Sequence, residues 1–510
     1  MSNIACIFSL ETYETLERPL VTWGKAPFGL TLIGTCLRQA GHKVDCWVIC
    51  PDTNLDALAR EIVQDFEANL VAAFAVTTQF PSILAASRVI RAQSPDVPII
   101  VGGAHPSLNP EEAISHAEID AICVGEGEDL MLAFAAALDR GEWLHHHPGL
   151  WIKDRTTGQI ERHAPPPFLQ DLDRLPIADY RLWERWVRPG ARDFRVVIGR
   201  GCPYNCTYCS NHALKKITTG KYVRFRSPAH ILSEIEMLLE QFPDTDHFYL
   251  EVETIASSTA FAIELCNALA VFNAKRERPI QFRANLAVTT QLVQNHDELH
   301  ALLSAFQRAN LKLVNVGLES GSERIRREIL SRPDYTNEAL IHFCQIARGY
   351  GIGIVLYTLI GLPTETVQDA LETAHVARAC DPVDLSESIF YPYAGTRLAD
   401  TAQKMHLFDA KEISTNEERL RSYLRLEGFP QGRIFFEWVF ITWRVFHGRW
   451  PMKRMARVIA HKVLERSPKL LAAIHCAVAR VKGGCFTKNK PIRARVVDVA
   501  ESKLVRTERG

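Results

Sequence analysis

Nowhere in the 510 residues is there an apolar run of about 18 residues, so no conventional membrane span is expected. Charge of one sign is not in excess: 59 Lys and Arg balance 59 Asp and Glu, which gives no global reason to expect a nucleic-acid partner. The N-terminus, Met1-Ser2-Asn3 ahead of a short apolar stretch, lacks a basic segment, so no secretory signal is expected and the chain reads as cytoplasmic. A disulfide framework is missing too. The 13 cysteines are scattered, and Cys6, Cys36, Cys46, Cys50, Cys123, Cys266, Cys344 and Cys380 mostly sit in apolar segments, where buried free thiols are the ordinary reading. What is present is 47% hydrophobic and 23% charged, the balance of a globular protein, at a length that suggests about three domains.

Residues 3–140 alternate short apolar runs (Ile4–Phe8, Val44–Val48, Leu70–Val76, Ile99–Val101, Ala121–Val124) with helical patterns. Five strands and five helices with short connections predict a doubly wound parallel sheet, which binds ligands at the carboxyl ends of its strands. Two strand ends are followed by glycines, Gly102-Gly103-Ala104-His105-Pro106 and Gly125-Glu126-Gly127-Glu128. Such glycines admit a ligand close to the backbone, or simply serve a turn. Two carboxylates make the second a poor phosphate cradle, and it is better suited to opening a helix, whose N-terminus favours acids.

From 141 to 192 the pattern breaks into a linker with some packed pieces. Its His145-His146-His147 reads as a solvated loop, since sequence neighbours rarely converge on one ion and no other ligand cluster is evident nearby. A second βα series spans 193–400, with candidate strands Phe194–Ile198, His247–Leu250, Ile280–Arg283, Lys312–Val316, Ile352–Leu359 and Asp384–Ser388. Six such units predict a partial (β/α)6 barrel with the residues after each strand lining one mouth. Residues 401–510 read as mostly helical. Ile434–Phe446 is crowded with aromatics but too short to span a bilayer, and is expected as a buried helix. From Ile441 onward, 17 Lys and Arg face 4 Asp and Glu, so a basic tail that could touch anionic lipid is expected.

One cysteine group is spaced for metal chemistry. Cys202, Cys206 and Cys209 form C-x3-C-x2-C directly after the first barrel strand. Three thiolates can hold three corners of a cubane iron–sulfur cluster, which leaves the fourth iron free to chelate a small molecule. The alternative is a zinc site with His212 as fourth ligand.

The segment Cys202–Cys209, with Tyr208 before the third cysteine, resembles the signature of radical S-adenosylmethionine (SAM) enzymes. Val316-Gly317-Leu318-Glu319-Ser320-Gly321 resembles the strand-end segment these enzymes place near the ribose and amino acid of SAM. Leu359-Ile360-Gly361-Leu362-Pro363-Thr364 resembles their segment beside the adenine, and Tyr391-Pro392-Tyr393-Ala394-Gly395-Thr396 their closing element. The resemblance implies a 4Fe–4S cluster on the three cysteines and SAM contacts from Tyr208, Glu253, Glu319, Ser320 and Gly361. One departure stands after the second strand, where relatives often carry paired aspartates or Gly-Gly-Glu and this chain has Leu250-Glu251-Val252-Glu253. Both glutamates fall on one side by strand alternation, with Glu253 nearer the mouth.

Residues 3–140 also resemble the flavodoxin-like cobalamin-binding domain that precedes the barrel in one subfamily, through Pro27-Phe28-Gly29-Leu30, Gly41-His42, Thr77-Thr78, Gly102-Gly103 and Gly125-Glu126-Gly127-Glu128. That implies cobalamin contacts from Thr77, Gly102, Gly103 and Gly125. A second departure is the absence of histidine from Glu11–Gly29, so this loop supplies no His to cobalt. The resemblance implies a cobalamin-dependent methyltransferase acting on an unactivated carbon of a small molecule through a 5′-deoxyadenosyl radical and methylcobalamin, fed by a low-potential donor such as flavodoxin or ferredoxin. The aromatic stretch hints at an apolar substrate. Cyclisation or rearrangement of a tetrapyrrole or other ring with the same cofactors is the second expectation. A non-catalytic cobalamin-binding sensor or scaffold is the third.

Overall fold

The computed structural model describes residues 1–413, 418–419, 421–429 and 431–446. The basic tail expected beyond them, and its lipid contact, lie outside the described residues. Among the described residues no helix is long and apolar enough to cross a membrane.

The N-terminal sheet consists of β1 (Asn3–Ser9), β2 (Lys43–Ile49), β3 (Leu70–Phe74), β4 (Ile99–Gly102), β5 (Ala121–Cys123), β6 (Leu150–Lys153) and β7 (Ile160–Arg162), in the order β2-β1-β3-β4-β5-β6-β7. The first five are parallel. Helices cover both faces, so β1 is buried almost throughout, and only a near-continuous apolar run such as Ile4–Phe8 suits that position. The order 2-1-3-4-5 is flavodoxin-like, with its switch point between β1 and β3.

The stretch expected as a linker does more. Its β6 and β7 extend the same sheet, β6 antiparallel to β5 and β7 antiparallel to β6, so the sheet is mixed. Two strands of four and three residues, one of them half exposed, carry too little periodicity to stand out in sequence. The histidine run lies in a loop with His145 and His146 exposed, as expected, but the pairing sets it beside residues near 162, so other candidate ligands are close by. His146, Glu161 and His163 offer ligand atoms within 4.8 Å of one another, although His163 Nε2 also lies 2.8 Å from the His145 carbonyl.

The second sheet begins with β8 (Asp193–Val197). A short antiparallel pair follows, β9 (Gly199–Arg200) and β10 (Arg224–Phe225). Then come β11 (His247–Glu251), β12 (Gln281–Leu286), β13 (Leu311–Glu319), β14 (Gly353–Ile360) and β15 (Asp384–Ile389). The six long strands are parallel and ordered β15-β14-β13-β12-β11-β8, an open barrel whose end strands do not pair. Alternation along β12 buries Phe282, Ala284 and Leu286 and leaves Asn285 on the other face. In β13, Asn315, Gly317 and Glu319 share that inner direction.

One apolar core runs from the helices on one face of the first sheet into the barrel, while the opposite face has a core of its own. The junction is packed rather than hinged. Trp23 stacks on Phe194 with ring centroids 5.2 Å apart, the buried Trp183 donates its indole N–H to Thr31 Oγ1 at 2.8 Å, and Tyr180 bonds the Arg195 carbonyl at 2.7 Å. The aromatic stretch is the helix Gln431–Phe446. Ile434, Trp438, Ile441 and Val445 are buried against the helix Val367–Cys380 and β15, as a buried helix requires.

Candidate active site

The cysteine loop leaves β9 through Gly201, whose φ of +92° is left-handed and whose added Cβ would lie 2.2 Å from the Tyr222 carbonyl oxygen. Only glycine fits there. The loop is then tied down from two sides. Thr207 donates its N–H to Leu330 O at 2.9 Å and its hydroxyl to Ile329 O at 2.6 Å. Leu398 donates its N–H to Thr207 O at 2.9 Å, and Arg397 reaches the Asn205 carbonyl. The Tyr391–Thr396 element thus delivers Arg397 and Leu398 to the underside of the cysteine loop.

Cys206 is buried, and Cys202 and Cys209 are partly so. Burial, with Cys206 and Cys209 alongside, pushes the Cys202 thiol up to about 12, and burial also raises Cys209. Three thiolates in one small pocket need cationic metal between them, which is what an iron–sulfur cluster supplies. The zinc alternative loses its fourth ligand. One ring nitrogen of His212 meets the Cys209 carbonyl and the other accepts the Arg397 N–H at 3.2 Å, so both are committed to backbone.

Beside the loop lies a cavity of about 290 Å³ in the barrel mouth. Tyr208, Glu253, Asn285, Asn315, Gly317, Glu319 and Arg332 line its polar side, and Tyr357, Tyr391 and Tyr393 stand at the other. Glu253 is open to this cavity, and the loss of bulk water around it raises its carboxyl above the ordinary range. Glu251 does not line it. It pairs with Arg195 at 3.6 Å, so the two glutamates diverge in role although they share a strand end.

Glu319 reaches the cavity through a distortion. The β13–β14 register shifts between Gly317 and Glu319, and Glu319 takes φ +58°, which is unusual for a residue with a side chain. A Cβ on Gly317 would meet Glu319 Oε1 at 2.4 Å and Arg332 Nη2 at 2.8 Å, so this glycine makes room for a carboxylate and a guanidinium. Two expected SAM contacts stand apart from the cavity. Ser320 is fully buried, its hydroxyl 3.5 Å from Thr373 Oγ1 and accepting the Ser322 N–H at 3.2 Å. It braces the turn from behind. Gly361 (φ +80°) lies beneath Ile434 and donates its N–H to the Glu365 carboxyl, so Leu359 and Thr358, rather than Gly361, line the cavity.

Arg332 is the residue that sequence reading missed. Its side chain is 10% exposed. It donates to Gly317 O at 2.7 Å and Tyr208 Oη at 3.2 Å, and approaches Glu319 at 3.8 Å and Cys206 Sγ at 3.7 Å. It stands in a loop among other arginines, and nothing in its local sequence separates it from surface charge.

A second cleft, of about 250 Å³, opens at the carboxyl ends of β3, β4 and β5. Its lining is small and apolar: Gly29, Ala72, Ala73, Gly102, Gly103, Gly125 and Gly127, with Phe28 and Met131. A Cβ on Gly29 would meet nothing within 4 Å, whereas one on Gly103 (φ +112°) would sit 2.6 Å from Ala75 O. The floor therefore leaves space that side chains would fill, which fits a bulky cofactor. Thr77 is not part of this lining. It lies in the turn beyond β3, whose neighbour Thr78 bonds Glu418 instead.

The two sites are joined by charge. Glu126 and Glu128, at the rim of the cleft, pair with Arg200 at 2.8 and 2.6 Å, and Glu126 also pairs with Arg224 at 3.0 Å. Burial works to raise Glu126, but the two arginines overcome it and hold its carboxyl below the ordinary range. Arg200 is two residues before Cys202. The Gly-Glu-Gly-Glu segment, expected to open a helix, does so at Glu128 and also clamps the cysteine loop.

An α/β molecule with a cysteine loop at the mouth of a partial barrel, and a cofactor-sized cleft beside it, defines a radical-generating enzyme class. Comparison with known proteins agrees: residues 26–135 match the B12 binding domain and residues 196–377 the radical SAM superfamily. The chain thus carries a B12-binding domain followed by a radical SAM domain. It is 26% identical over 396 residues to an uncharacterized methyltransferase of Pyrococcus horikoshii, covering 77% of this chain and 81% of that one. It is 28% identical over 390 residues to the anaerobic magnesium-protoporphyrin IX monomethyl ester cyclase of Rubrivivax gelatinosus, covering 74% and 66%. In fold it is similar to TsrM, a radical SAM methyltransferase of Kitasatospora setae solved with cobalamin and a 4Fe–4S cluster bound (TM-score 0.62, 17% identity, covering 79% of this chain and 75% of that one).

Proposed function

We propose that the protein is a cobalamin-dependent radical SAM methyltransferase acting on an unactivated carbon of a small molecule. The observation that supports this reading best is the Arg200 clamp, which sets a cofactor-sized cleft directly against the cysteine loop. When bound, a 4Fe–4S cluster on Cys202, Cys206 and Cys209 supplies the electron that cleaves SAM, and cobalamin in the cleft supplies a transferable methyl group.

The chain's own residues then bind and orient. Glu253, open to the cavity, suits the SAM ammonium, and an arriving cation favours its ionised form. Arg332, a guanidinium on the cavity wall, suits the carboxylate. Glu319 suits the ribose hydroxyls. Asn285 and Asn315 are fixed by their mutual bond at 3.1 Å and offer amides on the barrel side. The tyrosines at the opposite wall give an apolar substrate a surface while excluding water. In the cleft, Gly102, Gly103 and Gly125 let the cofactor approach the backbone. The electron comes from a low-potential donor such as flavodoxin or ferredoxin.

The test is anaerobic reconstitution with iron, sulfide and hydroxocobalamin, followed by SAM and reductant. The expected result is 5′-deoxyadenosine, cobalamin methylated by SAM, and a product heavier by one CH2. Iron and sulfide uptake without any 5′-deoxyadenosine would remove the enzymatic reading. 5′-Deoxyadenosine without a gain of CH2 would favour cyclisation or rearrangement; the Rubrivivax relative is named a cyclase. Cys206→Ala should abolish both cluster and SAM cleavage.

A further inference from the structure

Arg332 is placed where a SAM-binding arginine alone would not need to be. Its Nη1 lies 3.7 Å from Cys206 Sγ, within reach of an N–H···S bond. The position is fixed from several directions. Nη2 is held by Gly317 O at 2.7 Å, the Arg332 N–H by Arg326 O at 3.0 Å, and the preceding turn by the two Thr207 bonds to the cysteine loop itself. Loop and guanidinium therefore move together.

The three thiols are not equivalent. Asn211 Nδ2, a neutral donor, lies 3.7 Å from Cys209 Sγ. Cys202 has Glu253 in its surroundings, an acid that opposes further negative charge. Among the described residues only Cys206 has a cation within hydrogen-bonding reach of its sulfur. Glu319, 3.8 Å from Nη1, offsets part of that charge but makes no hydrogen bond to the sulfur. A guanidinium does not deprotonate under any working condition, so its charge is constant. Hydrogen bonds to cluster sulfurs and local positive charge both stabilise the more negative, reduced state.

We propose that Arg332, through its N–H···S contact with Cys206, raises the reduction potential of the cluster and so makes it reducible by a biological donor. This rests on the reading that Cys206 is a cluster ligand. The step is a one-electron reduction in which a low-potential reductant loses the electron and no bond to protein forms or breaks. Arg332 acts here on the electron's destination, independently of any contact it makes with SAM.

The experiment is an EPR-monitored redox titration of the reconstituted full-length protein with titanium(III) citrate, without SAM, on wild type, Arg332→Met and Arg332→Lys. At the wild-type midpoint the ratio of reduced to oxidised cluster should fall about tenfold in Arg332→Met, a shift of about 59 mV to lower potential. Arg332→Lys, which keeps the charge, should recover most of it. Equal potentials in all three, with only SAM affinity lowered, would overturn the proposal and leave Arg332 a ligand for SAM alone. If Arg332→Met takes up no cluster, Arg332→Gln carries the same comparison against Arg332→Lys. If wild type and Cys206→Ala take up equal cluster, it is the ligand reading that fails, and the potentials no longer bear on Arg332.

Discussion

The cleft of the first sheet and the cavity of the barrel differ in kind although both sit at the carboxyl ends of parallel strands. The cleft is lined by glycine, alanine and a few large apolar side chains, and its charges, Glu126, Glu128 and Arg200, are spent on one another. The cavity keeps Glu253, Glu319 and Arg332 beside two asparagines. A site of the first kind selects by shape and excluded volume, because it has few polar groups left to donate or accept. One of the second kind selects by charge, and suits a small zwitterion such as SAM. The clamp is part of the cleft's rim and ties it to the cysteine loop, two residues beyond Arg200.

The comparison breaks most severely at the clamp. Arg200→Met should strand Glu128 without a cation, leave Glu126 to Arg224 alone, and cost roughly 2–4 kcal/mol, somewhat below a fully buried pair because a fifth of the Arg200 side chain is exposed. Chemical denaturation would measure it. A loss under about 0.5 kcal/mol would mean that the pairs are merely surface contacts.

The next effect falls on the barrel side. Burial pushes Glu365, which accepts the Gly361 and Leu362 N–H groups, from 4.5 up to about 8. Its neutral form is the one that fits, so its favourable contribution is full below 4.5 and is lost as pH rises through about 8. Glu365→Gln keeps the acceptor and removes the titration. The variant should match wild type near about pH 4 and gain roughly 1–3 kcal/mol over it by about pH 9, read from denaturation midpoints. A constant difference across that range would show that Glu365 is not buried as a neutral acid.

The smallest effect tests shape alone. Gly29→Val adds bulk where a Cβ meets nothing within 4 Å, so the melting temperature should barely move. Cobalamin affinity, by absorbance titration of cluster-loaded protein, should fall about tenfold, ~1.4 kcal/mol. Unchanged affinity would place cobalamin elsewhere.

The strands of both sheets were legible because parallel strands buried on two faces need continuous apolar runs, as in Ile4–Phe8, and because β12 alternates with period two. The antiparallel extension β6–β7 was not legible. Its strands are short: β6 alternates over only four residues and β7 has no buried residue, so neither stands out. Among site residues, Gly102, Gly103, Gly125, Tyr208, Glu253 and Glu319 line the two openings, and each stands at or just past a strand end or in the cysteine motif. Thr77, Ser320 and Gly361 are next to such positions but turned elsewhere, which a one-residue change of direction in a loop decides.

The sequence by itself determined the chemistry in kind. Three thiols spaced C-x3-C-x2-C can reach one cluster whatever surrounds them, since that reach is a local property of a short loop. Tertiary structure decided how the chemistry is governed. His212 became a brace rather than a metal ligand, the two acids of Gly-Glu-Gly-Glu became a clamp, and Arg332 arrived beside Cys206 from 126 residues away. Long-range placement of charge is invisible to local pattern because it depends on which strand ends the fold brings together.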